Sequence, residues 1–490
     1  MPAFADRFKV RKPTSILNEE DKRSIHEAAL DVMATVGIRI HSSMARESLK
    51  KAGAIIDEKT KVVRFPPDLT ESLIAKAPER IVLAGREKEF DLPVDGTHCY
   101  YTTDGCGVSV WEQKTNSRRL SVLQDITNTA IIGDYLPYCS IYEPMVVPSD
   151  VPEHVHVVTG MREAFKLTTK HIESESTTTP EEARLQIEMA SEIVGGIEEL
   201  RKRHLISAMV CTMSPLTLDE HATDAAMVWS EAHVPVHITG MAMMGVSGPA
   251  TIPGTLVVNH AETLALAAAI QAHTPGAPVI YGSVLSNMNP RTGAIQLGSP
   301  EGTLLCSLAH EMARYVKMPS SCGGIGSNAK VPGIQSAIEN SMMALGSAFL
   351  AQEINNGIGL LDCSTVLSYE QMIIDNDIVA RSLVLGREIH ATKENLCLEE
   401  IKNVGILGIG PKKGNFLSER TTLTEAKKFF ISDIFPNEPY EDWERKGKKD
   451  EVTVAKERAD WILKNHKPEP LDRDIARRLD EIVKKAAKPR

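Results

Sequence analysis

Apolar positions near the start of the chain follow a helical period and then give way to short strand-like runs. Ile25, Ala29, Val32 and Met33 recur on one face of a predicted helix within residues 18–36. A second helix is predicted near residues 42–52. Strands are predicted at residues 37–40, 54–56 and 62–65. We therefore predict a small α+β subdomain over residues 1–97.

After this region the pattern changes to short apolar or β-branched runs, each followed by a polar loop and a helical stretch. Eight predicted strands lie at residues 100–103, 138–142, 170–172, 205–210, 234–238, 279–281, 318–321 and 358–361. From the second strand onward their starts are roughly 30 to 45 residues apart, the spacing of βα units in a parallel sheet. Helices rich in Ala, Leu and Met are predicted at residues 261–272, 302–316 and 334–354. We therefore predict an α/β fold class, with a (β/α)8 TIM-type barrel over residues 98–375.

An open, doubly wound sheet is the alternative architecture, but it would usually offer a glycine-rich nucleotide turn after its first strand. Residues 376–490 are charged and helical, with the clearest helices at residues 421–430 and 452–466. We predict a helical C-terminal extension that packs on the barrel, and we interpret its last thirty residues as a solvated tail helix.

Composition narrows the classes of function. The chain has 490 residues, 42% of them hydrophobic and 24% charged, which is typical of a soluble globular protein. A formal net charge of −10 argues against a nucleic-acid partner and favours a cationic ligand. We find no apolar run long enough for a membrane span and no signal-peptide pattern. The eight cysteines form no CxxC pair, so reduced thiols and a cytoplasmic location are expected.

Carboxylates and tyrosines end several of the predicted strands. Since the active site of such a barrel lies at the carboxyl ends of its strands, these side chains should meet at one opening. The acids are Asp104, Glu143, Glu173, Glu175 and Asp362, and the rings are Tyr101, Tyr142 and Tyr281. Carboxylates and ring faces attract a permanently charged ammonium group. We predict a cation site with Glu143, Glu173 and Glu175 as catalytic residues; the alternative for each tyrosine is a place in the core.

Other motifs give weaker evidence of a function. His154 and His156 lack further ligands at metal-site spacing, so no metal is predicted. The glycine-rich stretches at residues 323–326 and 405–410 lack the ending of a phosphate loop, which favours close backbone approach to a ligand or partner. A cysteine nucleophile at Cys322 or Cys363 has no histidine that the sequence can assign to it.

Three segments resemble the trimethylamine methyltransferase superfamily. They are LNEEDKRSIHEAALDVMATVGIRIHS, CTMSPLTLDEHATDAAMVWSEAHVPVHITGMAMMGVSGPATIPGTL and SSCGGIGSNAKVPGIQSAIENSMMALGSAFLAQEINNGIGLLD, and the resemblance runs over residues 17–461. It implies a barrel enzyme, often oligomeric, that passes a methyl group from a methylamine to a partner corrinoid protein. The cobalamin would then be carried by the partner, with no cofactor bound tightly by this chain.

The resemblance also implies a substrate class. Archaeal trimethylamine enzymes carry pyrrolysine on a barrel strand, and our alignment places Ile358 at that position. Without that electrophile a neutral tertiary amine is a poor methyl donor, whereas a quaternary amine needs no such help. The non-pyrrolysine branch therefore implies glycine betaine, carnitine, proline betaine, choline or a similar compound as the donor of a methyl group to Co(I).

A substrate carboxylate would need a donor, and the candidates are His237, Asn287, Arg291 and the backbone amides of Gly323 and Gly324. The predicted substrate-binding residues are Tyr101, Asp104, Tyr142, His237, Tyr281, Asn287, Gly323, Gly324, Ile358 and Asp362. Two other functions stay open: a binding protein that kept the cation site without turnover, and a methyltransferase for a tertiary amine or thioether.

Overall fold

Eight parallel strands form the central sheet of the computed structural model, which describes residues 4–11, 13–105, 107–175, 179–412 and 414–487. The strands are β1 (Tyr100–Tyr101), β2 (Ile141–Tyr142), β3 (His171–Ser174), β4 (Ile206–Cys211), β5 (Val236–Gly240), β6 (Val279–Ser283), β7 (Ser320–Gly324) and β8 (Ile354–Asn356). Their order is β1-β8-β7-β6-β5-β4-β3-β2, and a parallel bridge between Thr102 and Ile141 joins β1 to β2. The sheet is therefore a closed barrel, and the open-sheet alternative is wrong.

One long helix follows each strand and covers the outside of the barrel. These helices are α1 (Leu123–Tyr135), α2 (His156–Leu167), α3 (Pro180–Val194), α4 (Glu220–Glu231), α5 (Ile252–His273), α6 (Pro300–Tyr315), α7 (Ile334–Leu350) and α8 (Tyr369–Gly386). Side-chain oxygens of Thr179, Asp219 and Ser299 accept hydrogen bonds from the first turns of α3, α4 and α6. Such caps satisfy backbone N–H groups that have no partner within the helix.

Strand β8 differs from the prediction, which placed the eighth strand at residues 358–361. Leu360–Leu361 instead pairs with Val366–Leu367 outside the barrel, and the preceding helix ends at Leu350 rather than at residue 354. The amide of Asn355 is buried and donates to the backbone oxygen of Tyr100 at 2.9 Å. An asparagine pair ends this strand, so the apolar pattern on which the prediction depended is weak there.

The N-terminal region packs on one side of the barrel. Its helices contact α5, and the strand Ile38–Ile40 pairs with Thr217–Leu218 of the loop between β4 and α4. Its elements are Phe4–Phe8, Glu19–Thr35, Ile38–Ile40, Ser43–Ala52, Ile55–Asp57, Val62–Arg64, Pro67–Ile74, Ile81–Leu83, Lys88–Phe90 and Leu92–Val94. The hairpin of Ile81–Leu83 and Leu92–Val94 lies at the amino-terminal end of the barrel, where Tyr100 donates a hydrogen bond to Pro93 O at 3.0 Å.

Loops at the carboxyl end of the barrel form two small sheets. One contains Leu360–Leu361, Val366–Leu367, Ser109–Glu112 and Ser117–Leu120, and the other contains Met243–Met244, Ser286–Met288 and Ile295–Gln296. The short helix Ile197–Lys202 lies at the opposite, amino-terminal end, because it connects α3 to the start of β4.

The C-terminal extension consists of Leu398–Val404, Arg420–Glu425, Ala426–Lys428, Tyr440–Arg445, Glu451–Asn465 and Arg473–Ala486. Glu451–Asn465 packs on α8 and α1, and Arg473–Ala486 packs on α3 and α2 with Leu479, Ile482 and Val483 buried. The expectation of a solvated tail helix is therefore wrong, because this helix buries an apolar face. The divisions at residues 97 and 375 stay predictions, and α8 runs across the second. None of the described helices is both long and apolar enough to cross a membrane.

Candidate active site

The interior of the barrel at its carboxyl end is acidic. Successive residues of a strand face opposite sides, so Glu143 shares the inward face of Ile141, and Glu173 that of His171. Glu143 and Glu173 are each 1% exposed and Glu175 is 7% exposed. A Cβ atom on Gly105 would lie 2.7 Å from both Glu143 Oε1 and Glu175 Cβ. The structure thus brings the three predicted catalytic acids together, with Asp104 close enough to influence Glu143 electrostatically.

Glu143 is held by its backbone and leaves part of its carboxyl group unpaired. The Thr103 hydroxyl donates to Glu143 O at 2.8 Å and accepts from Glu143 N at 2.7 Å. Burial, followed by the charges of neighbouring carboxylates, raises the pKa of Glu143 well above its ordinary value. Within the described ranges, Oε2 of Glu143 has no hydrogen-bond partner. The protonated, neutral form of this acid is therefore favoured.

Glu173 forms a pair with His237 across strand β4. Its Oε1 lies 3.0 Å from His237 Nδ1 and accepts a hydrogen bond from Ser207 Oγ at 3.2 Å. Burial acts to raise the pKa of Glu173, but the charge and hydrogen bond of His237 outweigh it and lower this pKa. Two adjacent carboxyl groups with opposite pKa shifts can hold different protonation states, as acid and base pairs in enzymes do.

His237 has one ring nitrogen engaged and one buried without a partner in the described part of the chain, Nε2. Its position depends on a glycine of the next strand, because a Cβ atom on Gly282 would lie 2.4 Å from Nε2. The Glu173 Oε2 atom is likewise buried and unpaired among the described residues. Sequence reasoning included His237 only as a donor for a substrate carboxylate; its pairing with Glu173 is apparent only in three dimensions.

Glu175 lies at the outer edge of the acidic centre, where it meets His156. The distance from Glu175 Oε1 to His156 Nε2 is 3.4 Å. Burial raises the pKa of Glu175 despite the opposing histidine, and the hydrogen bond with Glu175 raises the pKa of His156. Sequence reasoning treated His156 as part of a loop pair with His154. Over the described residues, no three His, Cys, Asp or Glu side chains form a group that would hold a metal ion.

The three predicted ring residues face the helices, not the opening. Tyr101 OH donates to Ala344 O of α7 at 3.1 Å, Tyr142 OH donates to Ile126 O of α1 at 3.1 Å, and Tyr281 OH lies 2.9 Å from His260 Nδ1 of α5. The expectation of a ring-lined cation site is therefore wrong. For two of them the reason is strand alternation: Tyr142 precedes the inward-facing Glu143 and Tyr281 precedes the inward-facing Gly282, so both rings face outward.

Asp362 and Asn287 also lie outside the barrel interior. Asp362 is in the turn between Leu360–Leu361 and Val366–Leu367, where it pairs with Lys330 and, at 2.9 Å, with Arg118. Asn287 accepts a hydrogen bond from Ser299 and donates to Gln296 Oε1 at 3.3 Å within the small sheet of the β6 loop. Both placements correct the prediction, since each side chain stabilises a loop.

The remaining predicted residues are explained by packing. Gly323 and Gly324 have φ values of 48° and 149°, and a Cβ atom would lie 2.5 Å from Cys306 Sγ or 2.6 Å from Asn356 N, respectively. Ile358 is fully buried and its N–H donates to Thr102 O at 3.2 Å. These contacts explain why glycine is present at both positions. A role of Ile358 at the pyrrolysine-equivalent position stays a prediction.

Two buried acids that sequence reasoning missed secure the loops around the centre. Glu262 of α5 accepts hydrogen bonds from Thr212 Oγ1 at 2.6 Å and Leu216 N at 2.7 Å. Asp375 of α8 accepts from Gly359 N at 2.9 Å, and burial raises its pKa to about 6. The sequence carried a clear signal only for Glu262, a lone acid in the apolar stretch of α5. Such an acid needs partners when buried.

The fold and the centre define a (β/α)8-barrel protein whose strand ends enclose buried carboxyl groups and a histidine. A family model described as trimethylamine methyltransferase (MTTB) matches residues 5–489. The chain therefore belongs to the trimethylamine methyltransferase family and is a methyltransferase.

Individual relatives match along almost their full length. A trimethylamine methyltransferase of Desulfitobacterium hafniense is 31% identical over 95% of this chain and 92% of its own. One from Methanosarcina barkeri is 30% identical over 97% and 95%. A glycine betaine methyltransferase from another D. hafniense strain is 28% identical over 97% of both chains. The solved Methanosarcina barkeri monomethylamine methyltransferase covers 99% of this chain and 98% of its own, with 11% identity and a TM-score of 0.49.

Proposed function

We propose that this chain transfers a methyl group from a small quaternary amine, such as glycine betaine, to the Co(I) of a separate corrinoid protein. The observation that carries the proposal is the buried acidic centre of Glu143 and Glu173 at the strand ends. Membership of the methyltransferase family supports the reaction, and the relative named as a glycine betaine methyltransferase supports the substrate.

Charge balance at the centre favours a cationic substrate. Glu173 and Glu175 pair with His237 and His156, and Asp104 and Glu143 lie beside them. Repulsion between these acids is one cause of the raised pKa of Glu143, and a monocation bound among them would relieve that repulsion. With the tyrosines facing the helices, Coulomb attraction replaces the ring contacts that the sequence predicted.

A neutral Glu143 has a further advantage for methyl transfer. The positive charge on nitrogen falls as its bond to the methyl carbon breaks, so an environment that stabilised the cation strongly would hold the ground state and slow the reaction. One carboxylate, Glu173, already hydrogen-bonded to His237, attracts the substrate with less such bias. The amine then leaves as a neutral tertiary amine, and no proton transfer is needed.

The corrinoid of the partner protein would supply the Co(I) nucleophile, and this chain would bind no cofactor of its own. Its residues would orient the methyl group toward the barrel opening and exclude water from it. Exposed apolar side chains on the loops after β4, β5 and β7 fit contact with such a protein: Met213, Met241 and Val331.

A tertiary amine is the second candidate substrate, and Glu143 favours it. A carboxylic acid kept protonated by burial can donate a proton to a tertiary amine nitrogen. The protonated amine can then give up a methyl group and leave as a neutral secondary amine. Relatives named as trimethylamine methyltransferases fit this alternative.

The test uses the purified chain, a reduced corrinoid protein and a panel of amines. Glycine betaine should yield the absorbance of methyl-Co(III) together with dimethylglycine, detected by chromatography. No spectral change with any quaternary amine would contradict the proposal. Faster transfer from trimethylamine than from betaine, measured in competition, would favour the second candidate. Tight betaine binding without transfer would indicate a binding protein.

We also propose that the chain is cytoplasmic and self-associates. Residues 389–412 and 414–431 expose large apolar side chains, among them Ile389 at 92%, Leu407 at 81% and Ile409 at 82%. Single exposed apolar residues are common, but a concentration in one segment is typical of a protein interface. Light scattering should give a mass above that of one chain, and Leu407→Asp should reduce it.

A further inference from the structure

We propose that Ser207 shares one hydroxyl hydrogen between two buried acceptors, His171 Nε2 and Glu173 Oε1, and that His171 is a positioning residue for the acidic centre. The hydroxyl donates to Glu173 while this carboxylate is uncompensated, and it turns to His171 when a cation binds beside Glu173. The inference rests on the proposed function for that cation. It adds the two residues that set how much negative charge Glu173 offers to it.

The three side chains form a row inside the barrel. His171 and Glu173 are two residues apart on β3 and share its inward face, and Ser207 is the partner of Glu173 in the register of β4. Ser207 Oγ lies 3.0 Å from His171 Nε2 and 3.2 Å from Glu173 Oε1. Each of the three residues is at most 1% exposed, so bulk water does not compete for these hydrogen bonds.

The backbone determines which ring nitrogen of His171 carries a hydrogen. Nδ1 lies 2.9 Å from Ala84 O, and a carbonyl oxygen can only accept, so Nδ1 is the donor. Ala84 is itself held, because its N–H donates to His204 O at 2.9 Å. Burial lowers the pKa of His171 to about 4, so its ring is neutral near pH 7. In a neutral imidazole with the hydrogen on Nδ1, Nε2 is an acceptor.

Ser207 therefore faces two acceptors and has one hydrogen to donate. The charge and hydrogen bond of His237 lower the pKa of Glu173 against the effect of burial, and an ionised carboxylate only accepts. Whichever acceptor receives the hydrogen, the other loses its hydrogen bond from Ser207. A hydrogen bond to a charged group is roughly twice as strong as a neutral one, so the hydroxyl favours Glu173 over His171.

A cation bound beside Glu173 changes this preference. The cation compensates the carboxylate, which weakens the hydrogen bond from Ser207 to Glu173 and leaves the one to His171 unaffected. Other titratable groups face the row as well: His237 and Glu143 lie beside Glu173, and His204 lies beside His171. Burial lowers the pKa of His204 to about 4, so near pH 7 neither it nor His171 changes its charge.

A second serine between a histidine and a glutamate shows what is particular to Ser207. Ser320 Oγ lies 2.7 Å from His310 Nδ1 and 3.0 Å from Glu353 Oε2. Glu353 also accepts from two backbone amides, Ser320 N and Gly96 N, at 2.8 Å each. With those donors in place, the Ser320 hydroxyl can donate to His310 at little cost. The Oε1 atom of Glu173 instead depends on side chains, so the hydrogen of Ser207 is contested.

Nuclear magnetic resonance of the full chain labelled with 15N-histidine tests the shared hydrogen without any ligand. His171 should show a hydrogen on Nδ1 and an unprotonated Nε2, with its signals assigned by their loss in His171→Leu. Glu173→Gln removes the charged acceptor, so the Nε2 signal should shift toward a stronger hydrogen bond. Ser207→Ala should shift it in the opposite direction. A doubly protonated ring, or shifts of the same sign in both variants, would overturn the inference.

Calorimetric titration with tetramethylammonium at one pH near 7 tests the change on binding. Ser207→Ala loses its stronger hydrogen bond in the cation-free protein, so it should bind the probe roughly two- to tenfold more tightly than the wild type. His171→Leu removes the acceptor to which the hydroxyl turns, so it should bind more weakly by a similar factor. A purely structural role predicts weaker binding in both variants, and that result would overturn the inference. Ser320→Ala is the matched control and should leave the affinity unchanged.

The two measurements keep this test separate from that of the proposed function. If the His171 signals respond as predicted but tetramethylammonium does not bind, the shared hydrogen stands, and both the turn toward His171 on binding and the proposed cation site fail. If methyl transfer from a quaternary amine is observed but Glu173→Gln leaves the His171 signals unchanged, the proposed function stands and the shared hydrogen fails.

Discussion

Both ends of the barrel bury ionisable side chains, but the hydrogen bonding of these side chains differs between the two ends. At the amino-terminal end, Lys170 donates hydrogen bonds to the backbone oxygens of Gly133, Leu136 and Cys139 at 2.7 Å each. Glu353 accepts from Ser320 N and Gly96 N at 2.8 Å each. At the carboxyl end, Glu143, Glu173 and His237 each keep a buried atom without a partner among the described residues.

This contrast indicates what each end is for. A buried ionisable group whose partners all belong to the protein holds segments of the chain together. Removing that group or one of its partners lowers the stability of the protein. A buried group with an unused donor or acceptor costs stability in the free protein and gains its partner from a ligand. In (β/α)8 barrels the amino-terminal face serves stability and the carboxyl face carries the chemistry.

The largest expected effect is on the stability of the amino-terminal end. Lys170→Met removes the donor of three buried carbonyl groups, and breaking such a buried charged network costs about 3–5 kcal/mol. The free energy of unfolding from urea denaturation measures it. Lys166→Met is the matched control: Lys166 pairs with a partly exposed Asp480 and should cost less than about 1 kcal/mol. Equal losses in both variants would contradict the contrast between the two ends.

A pH-dependent effect of similar size is expected at Glu353, whose pKa burial raises to about 7 from an ordinary 4.5. The folded state binds this proton more tightly than the unfolded state, so the stabilisation is complete below pH 4.5 and is lost as pH rises to 7. The difference amounts to roughly 3 kcal/mol. The stability of the wild type relative to Glu353→Gln, which cannot ionise, should fall by this amount between pH 4.5 and 7. A constant difference would show that Glu353 titrates normally.

At the carboxyl end the expected effects are on activity. Gly282→Ala places a Cβ atom 2.4 Å from the present position of His237 Nε2 and 2.5 Å from Ile238 O, so the imidazole and the adjacent backbone of β5 must both move and the contact of His237 with Glu173 weakens. A displacement of about 1 Å in a catalytic arrangement can cost about 100-fold in rate, and kcat/KM should fall by that order. Gly346→Ala in α7 is the control, because its Cβ would meet nothing closer than 3.8 Å. Full activity of Gly282→Ala would show that His237 is not needed where it lies.

The smallest effect is expected at Glu143. Glu143→Gln keeps the shape of the neutral acid but cannot give up a proton. Turnover of a tertiary amine should therefore fall more than about tenfold, whereas turnover of glycine betaine, which needs no proton transfer, should change little, with the melting temperature nearly unchanged. Glu262→Gln is the contrasting variant, because Glu262 accepts hydrogen bonds from the loop after β4, and its main effect should be a lower melting temperature. Wild-type turnover of a tertiary amine in Glu143→Gln would mean that the carboxyl proton takes no part in the reaction.

Much of this arrangement could be predicted from the order of residues along the chain. Apolar runs located seven of the eight strands, because a buried parallel strand is apolar on both faces. The acids Glu143, Glu173 and Glu175 were found because they follow such runs, where the carboxyl ends of the strands must meet. Strand β8 was misplaced because it ends in two polar residues, Asn355 and Asn356, whose side chains hydrogen-bond to residues distant in sequence, Tyr100 and Ser321.

The order of residues thus decided two features, the class of fold and the acidic character of the barrel opening. The first follows from local periodicity, and the second from the acids that stand at strand ends. Tertiary structure alone decided which way Tyr142 faces, which acid pairs with His237, and that Gly282 makes room for that ring. Those features depend on atoms from different strands and helices that meet only when the barrel closes.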